Sequence, residues 1–205
     1  MIVIVDYGLG NLQSVLNMLK KIGIHAIISN RPDDLFSAEK LILPGVGSFA
    51  TGIKNINEMG LLSPLEETVL REKKPILGIC LGMQLFAKHS EEGGCAGLGW
   101  IDAEIKKFNP QDYPHLKVPN MGWRRVESRP DGEVLFKGMS DLKKFYFVHS
   151  YHMHCAHDAD IAATSQYGID YVASVAHDNI YGVQFHPEKS HRHGMQLLKN
   201  FCEMS

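Results

Sequence analysis

One short stretch near the middle of the chain limits the possible folds most strongly. Residues 75–80 form an apolar run that begins with a proline and predicts a buried strand, and residues 81–86 follow at once with helical spacing. Cys80 lies at the junction, between Gly78 and Gly82. A sharp strand-to-helix turn exposes its central side chain, and glycines on both sides let the strand and the helix close around it. The stretch therefore predicts a nucleophile elbow that carries a cysteine.

The start of the predicted helix bears on the chemistry of Cys80. Helix N-terminal amides and the helix dipole favour an anion, and the thiolate is the reactive form of cysteine. A buried core cysteine that ends a strand has the same local pattern. The G-x-C-x-G spacing alone does not separate these two interpretations.

Strands and helical patterns alternate through the first half of the chain. Apolar runs predict strands at 2–5, 25–28 and 40–43. The alternation predicts an α/β fold with a mostly parallel sheet flanked by helices, whose ligands bind at the carboxyl ends of the strands. Gly45 and Gly47 follow the third strand and Cys80 ends the fourth. The two glycines fit either an oxyanion site built from outward N–H groups or a plain tight turn.

The second half of the chain has a different pattern. Between Gly99 and Ser174 the β-like segments are short and separated by turns, which predicts antiparallel strands appended to the sheet. A final apolar strand at 180–185 and a helix close the chain. No linker or repeat interrupts the sequence, so a single domain over 1–205 is expected.

Two polar residues follow the final strand and complete a possible catalytic set. His186 and Glu188 are separated by a proline that fixes the turn, so that imidazole and carboxylate can face one site. A cysteine nucleophile needs a base, and the base needs an acceptor that holds its tautomer. Cys80, His186 and Glu188 supply these roles, and the strand ends of one parallel sheet meet at the same edge.

Composition excludes several classes of function. The 205 residues are 44% hydrophobic and 21% charged, as in an ordinary globular domain. A net charge of −2 without a Lys/Arg cluster argues against nucleic-acid binding. The first apolar run is too short for a signal peptide or a membrane span, and the four cysteines lack a C-x-x-C spacing. We therefore expect a cytoplasmic protein with free thiols and no membrane partner.

Five motifs, in order along the chain, resemble those of the class I (triad-type) glutamine amidotransferases. They are DYGLGN at 6–11, PGVGSF at 44–49, GICLGMQL at 78–85, FYFVHSY at 145–151 and GVQFHPEKS at 182–190. Within that family the chain is most similar to the glutaminase subunits of imidazole glycerol phosphate synthases, from residue 1 to about 203. The resemblance implies a flavodoxin-like fold and one glutamine amidotransferase domain.

The resemblance also implies a reaction. Cys80 would attack the carboxamide of glutamine and form a thioester, which water hydrolyses to glutamate. His186 would protonate the departing ammonia and later activate the water, with Glu188 orienting it. The implied oxyanion positions are Gly45, Val46, Gly47 and Leu81. The implied glutamine-binding residues are Gln84, Glu92, Ser150 and Tyr151. No cofactor and no metal are implied.

A partner follows from the same resemblance, because free ammonia is protonated and lost in water. The family implies a (β/α)8-barrel cyclase subunit that forms a heterodimer with this chain and uses its ammonia in histidine biosynthesis. The positions that match the family interface are Asn11, Asn120, Met121, Trp123, Tyr146 and Lys189. Trp123 would be an aromatic anchor there, with a core tryptophan as the alternative. The family pattern further implies that the oxyanion strand is inactive until the partner binds its own ligand.

Some features leave the pathway and the docking details open. Asn120 and Arg124 stand where the family usually has histidine and asparagine. A closely related group of amidotransferase subunits supplies ammonia for nucleotide-sugar amination in surface polysaccharide synthesis. The residues around the final strand fit that group at least as well.

Three other interpretations of the sequence compete with glutaminase activity. A metal site is suggested by histidines at 149, 152, 154 and 157, with others at 191 and 193, although their spacing matches no closed metal site. An α/β-hydrolase shares the elbow, but its acid normally precedes the histidine in the chain. A non-catalytic binding subunit on the same fold is disfavoured by the intact set of Cys80, His186 and Glu188.

Overall fold

The first half of the chain alternates between strands and helices, as predicted. The computed structural model describes residues 1–109, 116–130 and 133–204. The first elements are β1 (Ile2–Val5), α1 (Leu12–Lys21), β2 (Ala26–Ser29), α2 (Pro32–Ser37), β3 (Lys40–Gly45), α3 (Phe49–Glu58), α4 (Leu62–Glu66), β4 (Ile76–Cys80) and α5 (Leu81–Gln84). One π-helical turn, Glu67–Arg71, continues α4.

The second half consists mainly of strands. It contains β5 (His89–Ser90), β6 (Cys95–Ala96), β7 (Ala103–Lys107), β8 (Asn120–Ser128), α6 (Glu133–Phe136), β9 (Lys144–His149), β10 (Tyr151–Cys155), β11 (Ile161–Tyr167), β12 (Ile169–His177), β13 (Ile180–Val183) and α7 (His191–Glu203). Short 3-10 turns span Asp158–Asp160 and Pro187–Lys189. In the part of the chain described, no helix is long and apolar enough to cross a membrane.

The main sheet has nine strands in the order β2-β1-β3-β4-β13-β12-β11-β8-β9. The first five are parallel to one another, in the flavodoxin-like order of a doubly wound sheet. The other four extend this sheet in antiparallel pairs. This arrangement confirms the predicted fold class, a mostly parallel sheet with appended antiparallel strands.

A second sheet of four strands, in the order β10-β7-β5-β6, was not predicted. The segment that contains β7 was expected to extend the main sheet, but β7 pairs with β10 instead, with Ile105 opposite Met153. Both side chains are buried in the hydrophobic cluster that contains Phe86. The small sheet therefore covers one face of the core, and it does not lengthen the main sheet at its edge.

The parallel part of the main sheet is largely buried on both faces, which explains its continuous apolar strands. All four residues of β1 are buried, and alternate residues enter different clusters: Val3 and Val5 one, Ile2 and Ile4 the other. Helices cover both faces, so the carboxyl ends of the parallel strands are the free edge. The ends of β3, β4 and β13 lie side by side at this edge.

Candidate active site

The turn between β4 and α5 has the geometry of a nucleophile elbow. Cys80 has φ 55° and ψ −109°, a conformation that residues other than glycine rarely adopt. A Cβ on Gly78 would lie 2.6 Å from the Met83 nitrogen, and a Cβ on Gly82 would collide with the backbone oxygen of Leu43. The two glycines are thus required by close backbone approach, as the sequence predicted.

The helix after Cys80 is shorter than its apolar pattern predicted. It ends at Gln84, and the chain continues in a turn. A single helical turn has fewer aligned peptide dipoles than a long helix, so its effect on a thiolate is correspondingly smaller. Other groups around the sulfur therefore contribute more to its chemistry than the sequence suggested.

The structure brings His186 and Glu188 together and places them beside Cys80. Nδ1 of His186 is 2.8 Å from Oε1 of Glu188, and the two side chains are 1% and 2% exposed. The 3-10 turn Pro187–Lys189 reverses the chain after His186, which makes this contact possible. Because β13 pairs in parallel with β4, its following residues emerge next to the elbow. Cys80 and His186 line the same cavity.

The surroundings of His186 favour its protonated form. Burial alone would lower its pKa, but interactions with Cys80 and Glu188 outweigh burial and raise the pKa of His186 to about 10. The contact with Cys80 is short of a full hydrogen bond, because Nε2 of His186 has no partner of suitable geometry among the described residues. The ring is therefore a proton donor near neutral pH, which a leaving amine requires.

The cavity beside Cys80 has a volume of about 350 Å³, close to the lower end of the usual range for small-molecule sites. All four residues predicted to bind glutamine line it, namely Gln84, Glu92, Ser150 and Tyr151. Pro119, Val148 and His149 line it as well and were not predicted to do so. The size suits a ligand as small as an amino acid.

The predicted oxyanion positions divide into two groups. Val46, Gly47 and Leu81 line the cavity, and Gly47 has φ 123°, which favours glycine. Gly45 pairs with Cys80 in the β3–β4 register but does not line the cavity. A Cβ on Gly45 would lie 2.8 Å from the Leu81 Cβ and would collide with the Tyr7 hydroxyl. Gly45 is thus required for packing.

Two glutamine-binding candidates have defined partners in the fold. Oε2 of Glu92 accepts a hydrogen bond of 2.8 Å from the N–H of Phe49, at the start of α3. Nε2 of Gln84 donates to the Tyr151 oxygen at 3.1 Å and to Oε1 of Gln184 at 2.9 Å. The alternatives were an ordinary helix residue for Gln84 and a solvated surface charge for Glu92. These hydrogen bonds instead hold both side chains at the cavity.

His149 is a buried neutral imidazole that lines the cavity. Burial lowers its pKa to about 3. Its Nδ1 lies 2.7 Å from the Tyr151 oxygen, and its Nε2 lies 3.0 Å from the Asn120 amide nitrogen. Nδ1 therefore carries the hydrogen and donates a hydrogen bond to the carbonyl, and Nε2 accepts one from Asn120. Within 1–109, 116–130 and 133–204, no group of three His, Cys, Asp or Glu side chains is arranged to hold a metal ion.

Most residues expected at the partner interface form one exposed surface, which we call the aromatic platform. It consists of Met121, Trp123, Tyr146, Lys189 and His191. Trp123 is 43% and Met121 is 56% exposed. Trp123 stacks on His191 with ring centroids 5.4 Å apart and meets the edge of Tyr146 at 6.1 Å. Nζ of Lys189 lies 5.9 Å from the Tyr146 ring centroid. Trp123 is thus a surface residue and not the core tryptophan of the alternative interpretation.

The two asparagines expected at the interface differ from this group. Asn11 is half-buried at the start of α1 and makes no side-chain capping bond. Asn120 is fully buried, and its amide contacts His149 and Tyr171. Side chains alternate along β8, so Met121 points outward and Asn120 inward. Asn120 therefore lies beneath the exposed face of β8 in the isolated chain, and its place at the partner interface stays a prediction.

Sequence reasoning missed two residues next to the sulfur. Nε2 of Gln184 lies 3.6 Å from Sγ of Cys80, and the Gln184 side chain is fully buried. Tyr7 is buried as well, and burial together with the charge of Cys80 raises the pKa of its hydroxyl. A glutamine within an apolar strand end was the available signal for Gln184, since a buried amide needs partners.

Comparison with known proteins gives the family. Residues 3–204 match the family model described as glutamine amidotransferase class-I. The chain is 48% identical over 204 residues to imidazole glycerol phosphate synthase subunit HisH 2 of Pseudomonas aeruginosa, with all of both chains covered. It is 47% identical over 205 residues to subunit HisH 2 of Methanococcus maripaludis, again over all of both.

A solved structure supports the same conclusion for the fold. A crystal structure of a glutamine amidotransferase superposes with a TM-score of 0.75 at 20% identity, covering 98% of this chain and 97% of that one. At this identity the likeness concerns the fold alone. Together with the sequence matches and the geometry of the elbow, it leads to one conclusion: the chain belongs to the class I glutamine amidotransferase family.

Proposed function

We propose that this chain hydrolyses glutamine to glutamate and ammonia as the glutaminase subunit of an imidazole glycerol phosphate synthase. The observation that carries the proposal is that Cys80 and His186 line one cavity of about 350 Å³, with Glu188 hydrogen-bonded to the far side of the His186 ring. Relatives over the whole chain length are named as HisH subunits of that synthase, which supports the histidine pathway. The chain would act as a single amidotransferase domain in the cytoplasm.

The first half of the reaction forms the thioester. Sγ of Cys80, as the thiolate, attacks the carboxamide carbon of glutamine, and the carbonyl electron pair moves onto oxygen. Backbone N–H groups of the 45–47 segment and of Leu81 would stabilise this oxyanion. The C–N bond then breaks as Nε2–H of His186 gives its proton to the nitrogen, and ammonia leaves. The raised pKa of His186 supports this role as a donor.

The second half of the reaction releases glutamate. Neutral His186 takes a proton from water, and the resulting hydroxide attacks the thioester carbon. Collapse of the tetrahedral intermediate breaks the C–S bond and restores the thiolate. Glu188 accepts the Nδ1–H of His186 throughout, which holds the reactive Nε2 toward Cys80.

The ends of the glutamine molecule would meet complementary groups in the cavity. The carboxylate of Glu92 suits the α-ammonium group, and the polar groups of Ser150 and Tyr151 suit the α-carboxylate. Gln84 lines the same cavity as Cys80 and would contact the reacting carboxamide.

We further propose that the partner is a (β/α)8-barrel cyclase subunit in a heterodimer. The aromatic platform would dock on it, with Trp123 as the anchor, because large exposed aromatic groups dominate the energetics of many interfaces. Docking would also let ammonia pass between the active sites without protonation in water.

Covalent labelling tests the assignment of the nucleophile. The chain with its partner is treated with a glutamine-like chloroketone, and the modified residue is located by mass spectrometry. We expect labelling at Cys80 and its loss, together with glutamate release, in Cys80→Ala. Cys202→Ala is the matched control, because Cys202 is another free thiol. A wild-type complex that neither labels nor releases glutamate would favour a non-catalytic binding subunit.

The acceptor of the ammonia needs its own test. The native complex is copurified and assayed with the imidazole glycerol phosphate precursor and with a nucleotide-sugar acceptor. Ammonia transfer to the first supports the histidine pathway, and transfer to the second alone would replace it with nucleotide-sugar amination.

A further inference from the structure

Gln184 links the nucleophile to a residue that lines the glutamine cavity. It lies between β13 and His186, and its side chain is 0% exposed. Its Nε2 donates toward Sγ of Cys80 at 3.6 Å, and its Oε1 accepts from Nε2 of Gln84 at 2.9 Å. A buried amide thus connects β4 and α5 with the strand that precedes the catalytic histidine.

The orientation of both amides follows from one backbone carbonyl. The Tyr151 oxygen can only accept, so the Gln84 atom that faces it at 3.1 Å must be the nitrogen. The second hydrogen of that nitrogen points to Gln184, which must therefore offer its oxygen. The remaining end of Gln184 is then its N–H₂ group, and this end faces the sulfur. His149 also donates a hydrogen bond to this carbonyl, which is therefore an acceptor in both contacts.

These hydrogen-bond directions affect the residues at both ends of the network, Cys80 and Gln84. At Cys80, an N–H donor favours the thiolate and holds its side chain in one orientation. At Gln84, both hydrogens of the amide are engaged, so only its oxygen is left for a ligand in the cavity. An oxygen acceptor suits the N–H₂ of a carboxamide and is unfavourable beside a carboxylate.

We propose that Gln184 is a positioning residue that keeps Cys80 reactive and fixes Gln84 as an acceptor that discriminates glutamine from glutamate. The second part rests on the proposed glutaminase function, whereas the first does not require it. Among the described residues, the titratable groups around the sulfur and the cavity are His186 with its partner Glu188, Tyr7, Glu92, Tyr151 and His149, and all stay unchanged in the test below.

Two substitutions separate the two roles. Gln184→Glu keeps an acceptor for Gln84 but removes the donor to sulfur and adds a carboxyl group. Gln184→Met has a similar length and removes both the donor and the acceptor. Gln166→Glu is the matched control, because Gln166 is exposed on β11, outside the cavity. Circular dichroism and thermal melting establish that each variant is folded.

The first measurement is the rate at which iodoacetamide alkylates Cys80 across pH, followed at this residue by mass spectrometry. We expect the rate at pH 7 to fall about tenfold in both Gln184 variants, with the reactive range moved to higher pH, because a hydrogen bond to a charged group is lost. The shift should be larger for Gln184→Glu, and Gln166→Glu should match wild type. Wild-type profiles in both Gln184 variants would overturn the first role.

The second measurement is inhibition of the complex by glutamate relative to the KM for glutamine. Gln184→Met should bind glutamate more tightly relative to glutamine, because Gln84 gains a free N–H, and Gln184→Glu should keep the wild-type ratio. An unchanged ratio in Gln184→Met would overturn the second role. Failure of the glutaminase proposal itself would appear differently, as a wild-type complex without glutamate release, and the alkylation profiles would still decide the first role.

Discussion

The ends of β3 and β4 lie side by side at the active edge of the sheet, yet they are held very differently. At β4, closely approaching backbone and side chains surround the elbow, and Gly82 has no room for a Cβ beside Leu43. At β3, the segment that follows is open: a Cβ on Gly47 would meet nothing nearer than 3.6 Å, and Val46 is 36% exposed. The chain's own packing thus fixes the nucleophile but leaves the oxyanion segment with few contacts.

This difference indicates how the site is completed. A preorganised nucleophile needs nothing further from outside the chain, whereas oxyanion donors work only when they are held toward the developing charge. The open segment after β3 is therefore the part that a docked partner can order. The difference supports the hypothesis that the partner controls the oxyanion strand.

The largest effect is expected when the packing at the elbow is broken. In Gly82→Ala the new methyl group collides with the Leu43 backbone, which cannot move away as a flexible side chain could. We expect the free energy of unfolding to fall by about 3 kcal/mol, a drop in Tm of roughly 10 °C, and Cys80 labelling to be lost.

Gly47→Ala is the counterpart at the open segment. It should cost less, about 1–2 kcal/mol, from the strain of a positive φ in a residue other than glycine, and leave Cys80 labelling intact. Calorimetry and labelling of both variants check the comparison. Equal losses in the two variants would mean that the two strand ends are held alike.

The next effect, on kcat, is expected for Glu188→Gln. The substitution changes the partner of His186 beside the fixed nucleophile and keeps the size of the side chain. The substitution removes a carboxylate that raises the pKa of His186. Because a raised pKa keeps the imidazolium at higher pH, the alkaline decline of kcat should move from near pH 10 toward neutral. At pH 8 we expect kcat to fall by about 10²-fold or more. The pH profile of the complex measures this.

The same substitution has a consequence for stability. Folding raises the pKa of His186 from about 6.5 to about 10, so the folded state binds this proton more tightly than the unfolded state. The resulting stabilisation is complete below pH 6.5 and disappears as the pH rises through about 10. Glu188→Gln should therefore lose stability at pH 7 relative to wild type, and the difference should shrink above pH 10. An unchanged alkaline limb and an unchanged stability profile would contradict the role of Glu188.

The smallest effect on the chain itself is expected for Trp123→Ala, which tests the link between the open segment and the partner. Trp123 is 43% exposed, so its loss should change the stability by less than about 0.5 kcal/mol. As an interface anchor it should cost about 2 kcal/mol of binding, or roughly 30-fold in Kd. Phe36→Ala, another exposed aromatic at 41%, is the control for titration calorimetry. If the two variants bind the partner with equal affinity, Trp123 is not an anchor of the interface.

Much of the fold could be predicted because its parallel strands are continuous apolar runs. The segment Tyr151–Cys155 was missed as a strand because two of its five residues are histidines. Its partner β7 was then expected in the wrong sheet, since no local pattern tells which sheet a short alternating strand will join.

The site residues that could be predicted are those with a recognisable chemical role at the end of a predicted strand. Cys80, His186 and Glu188 each follow a strand and have recognisable roles, so their convergence could be expected. Gln184 depends on contacts with Cys80 and Gln84 about 100 residues away, which no spacing reveals. Asn120 is buried because alternate residues of β8 point to opposite faces of the sheet. A shift of the strand by one residue would bring Asn120 to the exposed face.

The most direct test compares glutamate release and Cys80 alkylation in the isolated chain and in the chain docked on the proposed barrel subunit with that subunit's own ligand bound. Because the nucleophile is already fixed, alkylation should change by less than about twofold on docking. Because oxyanion donors are worth about 10²-fold or more, kcat for glutamate release should rise by at least that factor. Full glutaminase turnover by the isolated chain would contradict this division between a fixed nucleophile and a partner-ordered oxyanion segment.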